Sequence, residues 1–168
     1  MICAGDFAKK AYDYRSSGIP YSQLDCQAFV ERVLSDCGER HDWKGSNHMW
    51  RSALSWRGTL EECKKEYGVI PVGAFLFVVK NDGGERLRGY NDNDGNAAHV
   101  GIYTGLGSGA MESTTGGVQE CKNMKKWTHV GLCKYINYGM QSNCDLYNRL
   151  AAIKAQIEEA MEVVKNND

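Results

Sequence analysis

Cys26 and His99 are the two residues in this 168-residue chain whose surroundings best suit covalent chemistry. A nucleophilic cysteine needs a stabilised thiolate, a base within reach and a group that holds the base in one orientation. Cys26 opens the run Cys26-Gln27-Ala28-Phe29-Val30-Glu31-Arg32-Val33-Leu34, in which Phe29, Val30, Val33 and Leu34 share one helical face. Ser22 or Asp25 could cap that helix, and Gly38 could end it, which puts Cys26 in the first turn. There the unpaired N–H groups and the helix dipole favour a thiolate, and the same N–H groups can face an oxyanion.

Four histidines could act as the base. His41 and His48 lie in a polar stretch, and His129 lies near the last strand candidate. His99 begins a clean apolar strand, Val100-Gly101-Ile102-Tyr103, and a catalytic imidazole needs that kind of rigid support. Glu112 follows by one hairpin, so neighbouring strands can bring both side chains onto one face. A carboxylate there would fix the tautomer and stabilise the imidazolium. A strand-edge histidine and a strand glutamate are also common structural residues, so the pattern alone leaves that reading open.

The other cysteines are Cys3, Cys37, Cys63, Cys121, Cys133 and Cys144, giving an odd total of seven. None forms a C-x-x-C pair, and no histidine stands at zinc-finger spacing from a cysteine pair, so the spacing argues against structural zinc. A chain of this size does not need a disulfide framework. The count fits a reducing origin with one special thiol.

Helices and strands must position these groups. The spacing of Phe7, Ala8, Ala11 and Tyr12 predicts a helix over Asp6 to Ser16, broken by Gly18 and Pro20. Residues 39–68 are polar and hold Trp43, Trp50 and Trp56; they read as an irregular excursion with one or two short helices, Leu60 to Tyr67 being the stronger. Strand candidates follow at 73–80, 98–104, 110–113 and 118–121, and Trp127 to Tyr138 closes the sheet. In the tail, Leu146, Leu150, Ile153, Ile157, Ala160 and Val164 form a narrow seam that predicts a long amphipathic helix from Asn143 to Val164. That seam could pack on the domain, self-associate, or attach the chain to another domain. Helices first, then an antiparallel sheet, then a helix is an α+β order. It divides the chain into a domain over 1–140 and a C-terminal helix over 141–168.

Bulk composition limits the partners. A net charge of -1 gives no electrostatic case for nucleic acid or an anionic membrane, and Lys122, Lys125 and Lys126 read as a solvated face. No apolar run approaches a membrane span. The N-terminal residues do not read as a secretory signal, because no basic segment precedes an apolar one. That expectation fits a phage-encoded lysin or part of a larger exported protein.

The stretch Tyr21-Ser22-Gln23-Leu24-Asp25-Cys26-Gln27-Ala28-Phe29-Val30 resembles the nucleophile motif of NlpC-type cell-wall cysteine peptidases. The stretch His99-Val100-Gly101-Ile102-Tyr103-Thr104-Gly105 resembles their histidine strand, and Val72-Gly73-Ala74-Phe75-Leu76-Phe77 sits where they enter the preceding strand. The three blocks stand in the family's order and span roughly residues 10–138. The resemblance implies a papain-like core, with the cysteine helix packed on an antiparallel sheet that carries the histidine. It implies hydrolysis of an amide in the peptidoglycan stem peptide, usually between D-glutamate and a diamino acid, with no metal or cofactor. It also implies that Tyr21 and Asp25 contact substrate near its free amine.

Two departures stand out. The Ser-Gly usual after the cysteine is Gln27-Ala28 here, and the third catalytic position, commonly His, Asn or Gln, aligns with Glu112. The tryptophan-rich stretch lies outside the motifs; Trp50 and Trp56 are candidate groove contacts, with a core or capping role as the alternative. Rival readings are an amidase of the CHAP type, which cuts between sugar and peptide, and a non-catalytic phage-tail or secretion assembly module.

Overall fold

The structure, a computed structural model, describes residues 1–139 together with Leu150, Ile153, Lys154, Gln156, Ile157 and Met161. The chain opens with a two-residue strand, β1 (Ile2–Cys3), and helix α1 (Ala4–Asp13), whose last turn tightens into a 3-10 turn over Tyr14–Ser16. Helix α2 (Cys26–Asp36) follows. Helix α3 (Ser46–Ser52), strand β2 (Leu54–Thr59) and helix α4 (Leu60–Tyr67) come next. Then come β3 (Phe75–Lys80), β4 (Asn96–Tyr103), β5 (Ala110–Thr114), β6 (Gly117–Glu120), β7 (His129–Cys133) and β8 (Ile136–Asn137).

Six strands form one antiparallel sheet in the order β2-β7-β3-β4-β5-β6, and β1 pairs with β8 in parallel beside it. The architecture is α+β, as the element order predicts. Alternation along the strands divides the core into two layers. Phe75, Phe77, Val100, Ile102 and Met111 face a cluster built with Phe7 of α1, Phe29, Val30 and Val33 of α2, and Met49 of α3. Each such side chain contributes roughly 1.5–3 kcal/mol when taken fully out of water. Leu76, Val130 and Leu132 belong to a second cluster with Cys63 of α4 and Trp127.

The stretch 39–68 is more regular than its polarity suggests. It holds α3, the edge strand β2 and α4, the last opened by a capping box between Thr59 and Glu62. Strand β2 lies at the sheet edge with none of its residues fully buried, so its sequence lacks the apolar run of a buried strand. The two-layer sheet packing of β3 and β4, by contrast, is plain in their hydrophobicity.

The predicted helix over 143–164 falls largely outside the described residues. The six positions described there are helical, and Leu150, Ile153, Ile157 and Met161 are exposed. Cys3 is disulfide-bonded, although the chain's size calls for no disulfide framework. Cys26, Cys37, Cys63, Cys121 and Cys133 are free thiols.

Candidate active site

Cys26 is the first residue of α2, and Asp25 is its N-cap. The Asp25 Oδ1 accepts from the Ala28 N–H at 2.8 Å, the reason an acidic residue stands before the helix. By helix geometry the N–H groups of Cys26 and Gln27 have no acceptor within the helix, so they point toward whatever approaches the sulfur. Two contacts fix the start of α2 against the sheet. The Ser113 hydroxyl of β5 donates to the Leu24 carbonyl, and the Val118 N–H of β6 donates to the Ile19 carbonyl at 3.1 Å. Ser113 is fully buried and adjoins Glu112, so the strand that carries the carboxylate also holds the helix that carries the thiol.

His99 lies on β4 beside a β-bulge. Val78 pairs with His99 and Val79 with Ala97, which leaves Ala98 as the extra residue. Such a bulge bends the strand and re-aims the neighbouring side chain. Helix α3 clamps it: Ser46 Oγ donates to the Ala97 carbonyl at 2.6 Å, and Asn47 Oδ1 accepts from the Ala97 N–H at 3.0 Å. Asn47 also donates to Asn96 Oδ1 at 2.8 Å and accepts from Arg51 at 3.0 Å.

His99 Nε2 lies 2.6 Å from Glu112 Oε2. Its ring stacks on the Trp127 indole at 5.4 Å with 9° between planes. Cys26 is near enough to that imidazole to help raise its pKa, and with Nε2 committed to Glu112, Nδ1 is the nitrogen left to face the thiol. Burial works against a charged His99, but the nearby Cys26 sulfur and the bond to Glu112 outweigh it and lift its pKa from 6.5 to about 9. Burial also opposes ionisation of Glu112, which is 2% exposed, yet His99 and Lys126 hold its carboxyl below the usual range.

Lys126 is the member that the sequence reading placed on a solvated face. Its Nζ ion-pairs with Glu112 Oε2, the oxygen that also meets His99, and lies 4.8 Å from the Trp127 ring centre. A short 3-10 turn, Met124–Lys126, turns it inward beside the indole while Lys122 and Lys125 stay exposed. Nothing in this small lysine cluster marks one member as half-buried against a strand glutamate.

The other histidines are engaged elsewhere. His41 stacks between Trp43 and Tyr135, His48 Nδ1 accepts from the Lys44 N–H at 3.0 Å, and His129 packs edge-on against Trp50.

A cleft of about 440 Å3 opens beside Cys26, with Tyr21, Asp25, Gln27, Lys44, Asn47 and Arg88 among its lining residues. The Tyr21 hydroxyl is 4.0 Å from Cys26 Sγ, and burial and the neighbouring sulfur both raise its pKa. Tyr21 and Asp25 line the cleft next to the thiol. Trp50 and Trp56 do not. Trp50 is 4% exposed, packs edge-on against Phe77 and donates to the Asp94 carbonyl at 3.2 Å. Trp56 lies on the edge strand against Tyr67, packed on the second core cluster. The 39–68 stretch meets the cleft through Lys44, Gly45, Ser46 and Asn47 instead of through its large rings.

This arrangement can hold a thiol next to an imidazole whose second nitrogen is fixed by an anion, with helix N–H groups and an open cleft beside the sulfur. Among the described residues no group of three or more His, Cys, Asp or Glu side chains is placed to hold a metal ion. Comparison with family models, curated proteins and solved structures gives no match for this chain.

Proposed function

We propose that this chain is a papain-like cysteine hydrolase acting on an amide of the peptidoglycan stem peptide, with Cys26 as nucleophile, His99 as acid and base, and Glu112 as orienter. The observation that carries the reading is the His99–Glu112 pair, with Cys26 near enough to shift the imidazole while lining an open cleft at a helix N-terminus. The substrate class rests on the motif resemblance around Cys26 and His99.

The steps follow from the groups present. The Cys26 sulfur attacks the amide carbon, and the carbonyl π electrons move onto oxygen, where the N–H groups of Cys26 and Gln27 can stabilise them. As the C–N bond breaks, the leaving nitrogen takes the proton that His99 carries, and a thioester remains. Water then gives a proton to His99 and adds to the thioester carbon. Breaking the C–S bond returns the sulfur and frees the acid. Glu112 holds the ring through both transfers without taking the proton itself.

Mass spectrometry of purified peptidoglycan digested by the protein tests the reading. The expected products are muropeptides shortened within the stem, at the D-glutamyl–diamino acid bond. Sugar chains freed of whole stem peptides would assign the CHAP-type amidase instead. An undigested substrate would favour the non-catalytic assembly module.

A further inference from the structure

We propose that Lys126 is a positioning residue of the Cys26–His99–Glu112 set: by sharing the Glu112 oxygen that holds His99, it sets how readily the imidazole releases its proton. This inference rests on the hydrolase reading.

One carboxylate oxygen serves two cations. Glu112 Oε2 meets His99 Nε2 at 2.6 Å and ion-pairs with Lys126 Nζ, while the carboxylate side chain is only 3% exposed. Lys126 is no wandering surface charge. It lies against the Trp127 ring, and the same ring stacks on His99, so the indole fixes the two bases relative to each other. Each cation on a shared oxygen weakens the hold of that oxygen on the other, and like charges at this range oppose each other directly.

The reaction explains why such a divided carboxylate is useful. His99 must first give a proton to the leaving amine and then accept one from water. In the thioester the sulfur carries no charge, so it no longer supports the imidazolium. An undivided, buried Glu112 would then hold the proton on His99 and leave the site without a base. Lys126 offsets that grip while keeping Glu112 ionised. The titratable groups facing His99 are Cys26 from α2, Glu112 from β5 and Lys126 from the turn before β7. Tyr21 and Asp25 face the sulfur side, and Cys121 lies beside Glu112 and Lys126.

The test is an NMR titration of the His99 ring in the Cys26→Ala protein, which removes the sulfur's charge as acylation does. Adding Lys126→Met keeps the aliphatic stem over Trp127 and removes the cation. The His99 midpoint should rise by about one unit, and Lys126→Arg should leave it within a few tenths. In the otherwise wild-type enzyme, Lys126→Met should slow deacylation near neutral pH about tenfold, since one unit is a tenfold change in free base, while single-turnover acylation persists. Lys126→Gln gives the same reading if the methionine variant folds poorly. A midpoint that stays put or falls in both neutral variants overturns the proposal. The titration needs no turnover, so it fails or succeeds independently of the hydrolase reading, which is tested separately by the digestion products.

Discussion

Glu112 sits directly across the strand pair from Gly101, yet its carboxylate bonds to His99, two residues away on the same face. The glycine makes this diagonal contact workable. A Cβ at position 101 would come within 2.7 Å of the Trp127 ring and 2.8 Å of the Met111 carbonyl, so the indole could not lie over the strand and stack on His99. Gly101→Ala should therefore lower stability by about 1–3 kcal/mol and reduce turnover by more than a remote change of equal cost. Thermal unfolding read beside activity checks this; a variant with wild-type melting and turnover would contradict it.

Glu112→Gln keeps the shape of the orienter and removes its charge. The imidazolium loses its anion, and Lys126 loses its ion-pair partner. Turnover should fall roughly 100-fold, and the His99 midpoint should drop from about 9 toward its ordinary value. A fall in activity with the midpoint unchanged would mean that Glu112 acts only through packing.

The same titration predicts a pH window for stability. Burial disfavours a charged His99, yet the nearby Cys26 and the bonded Glu112 outweigh it and raise its pKa to about 9 in the folded chain. A raised value means that the folded state binds the proton more tightly than the unfolded state. The resulting stability is complete below 6.5 and is lost as pH rises through about 9. Glu112 works in the opposite sense: its lowered value gives stability above the ordinary carboxylate range that disappears in acid. Melting temperature should decline between pH 6.5 and 9, and His99→Gln should flatten that decline.

Trp50 and Asn47 should respond differently to truncation, although they are neighbours on α3. Trp50→Ala removes a buried ring packed on Phe77 and should cost about 3–5 kcal/mol, with little effect on KM at temperatures where the variant stays folded. Asn47→Ala releases the bulged backbone at Ala97 beside His99 and should lower kcat more than stability. A large KM effect from Trp50→Ala would restore it as a substrate contact.

Much of the frame is legible in the sequence. The helical spacing around Phe29 and Val33 and the alternation in Phe75–Lys80 and Val100–Tyr103 announce the elements that bear Cys26 and His99. The capping preference of Asp25 announces the helix start. Other features depend on contacts between distant segments. The bulge at Ala98 exists because β3 and β4 pair out of step, and no local pattern marks it. Lys126 becomes special only when Trp127 folds over Gly101. The rings of Trp50 and Trp56 look like groove residues because aromatic side chains suit both grooves and cores; burial alone decides between them.

The central claim is that the Cys26 sulfur, activated by His99, cuts a stem-peptide amide. The most direct test is digestion of purified peptidoglycan by the wild type, Cys26→Ala and His99→Ala, each shown to be folded, with the products read by mass spectrometry. The account predicts stem-peptide cleavage by the wild type and none above background by either variant. Equal digestion by Cys26→Ala would contradict it.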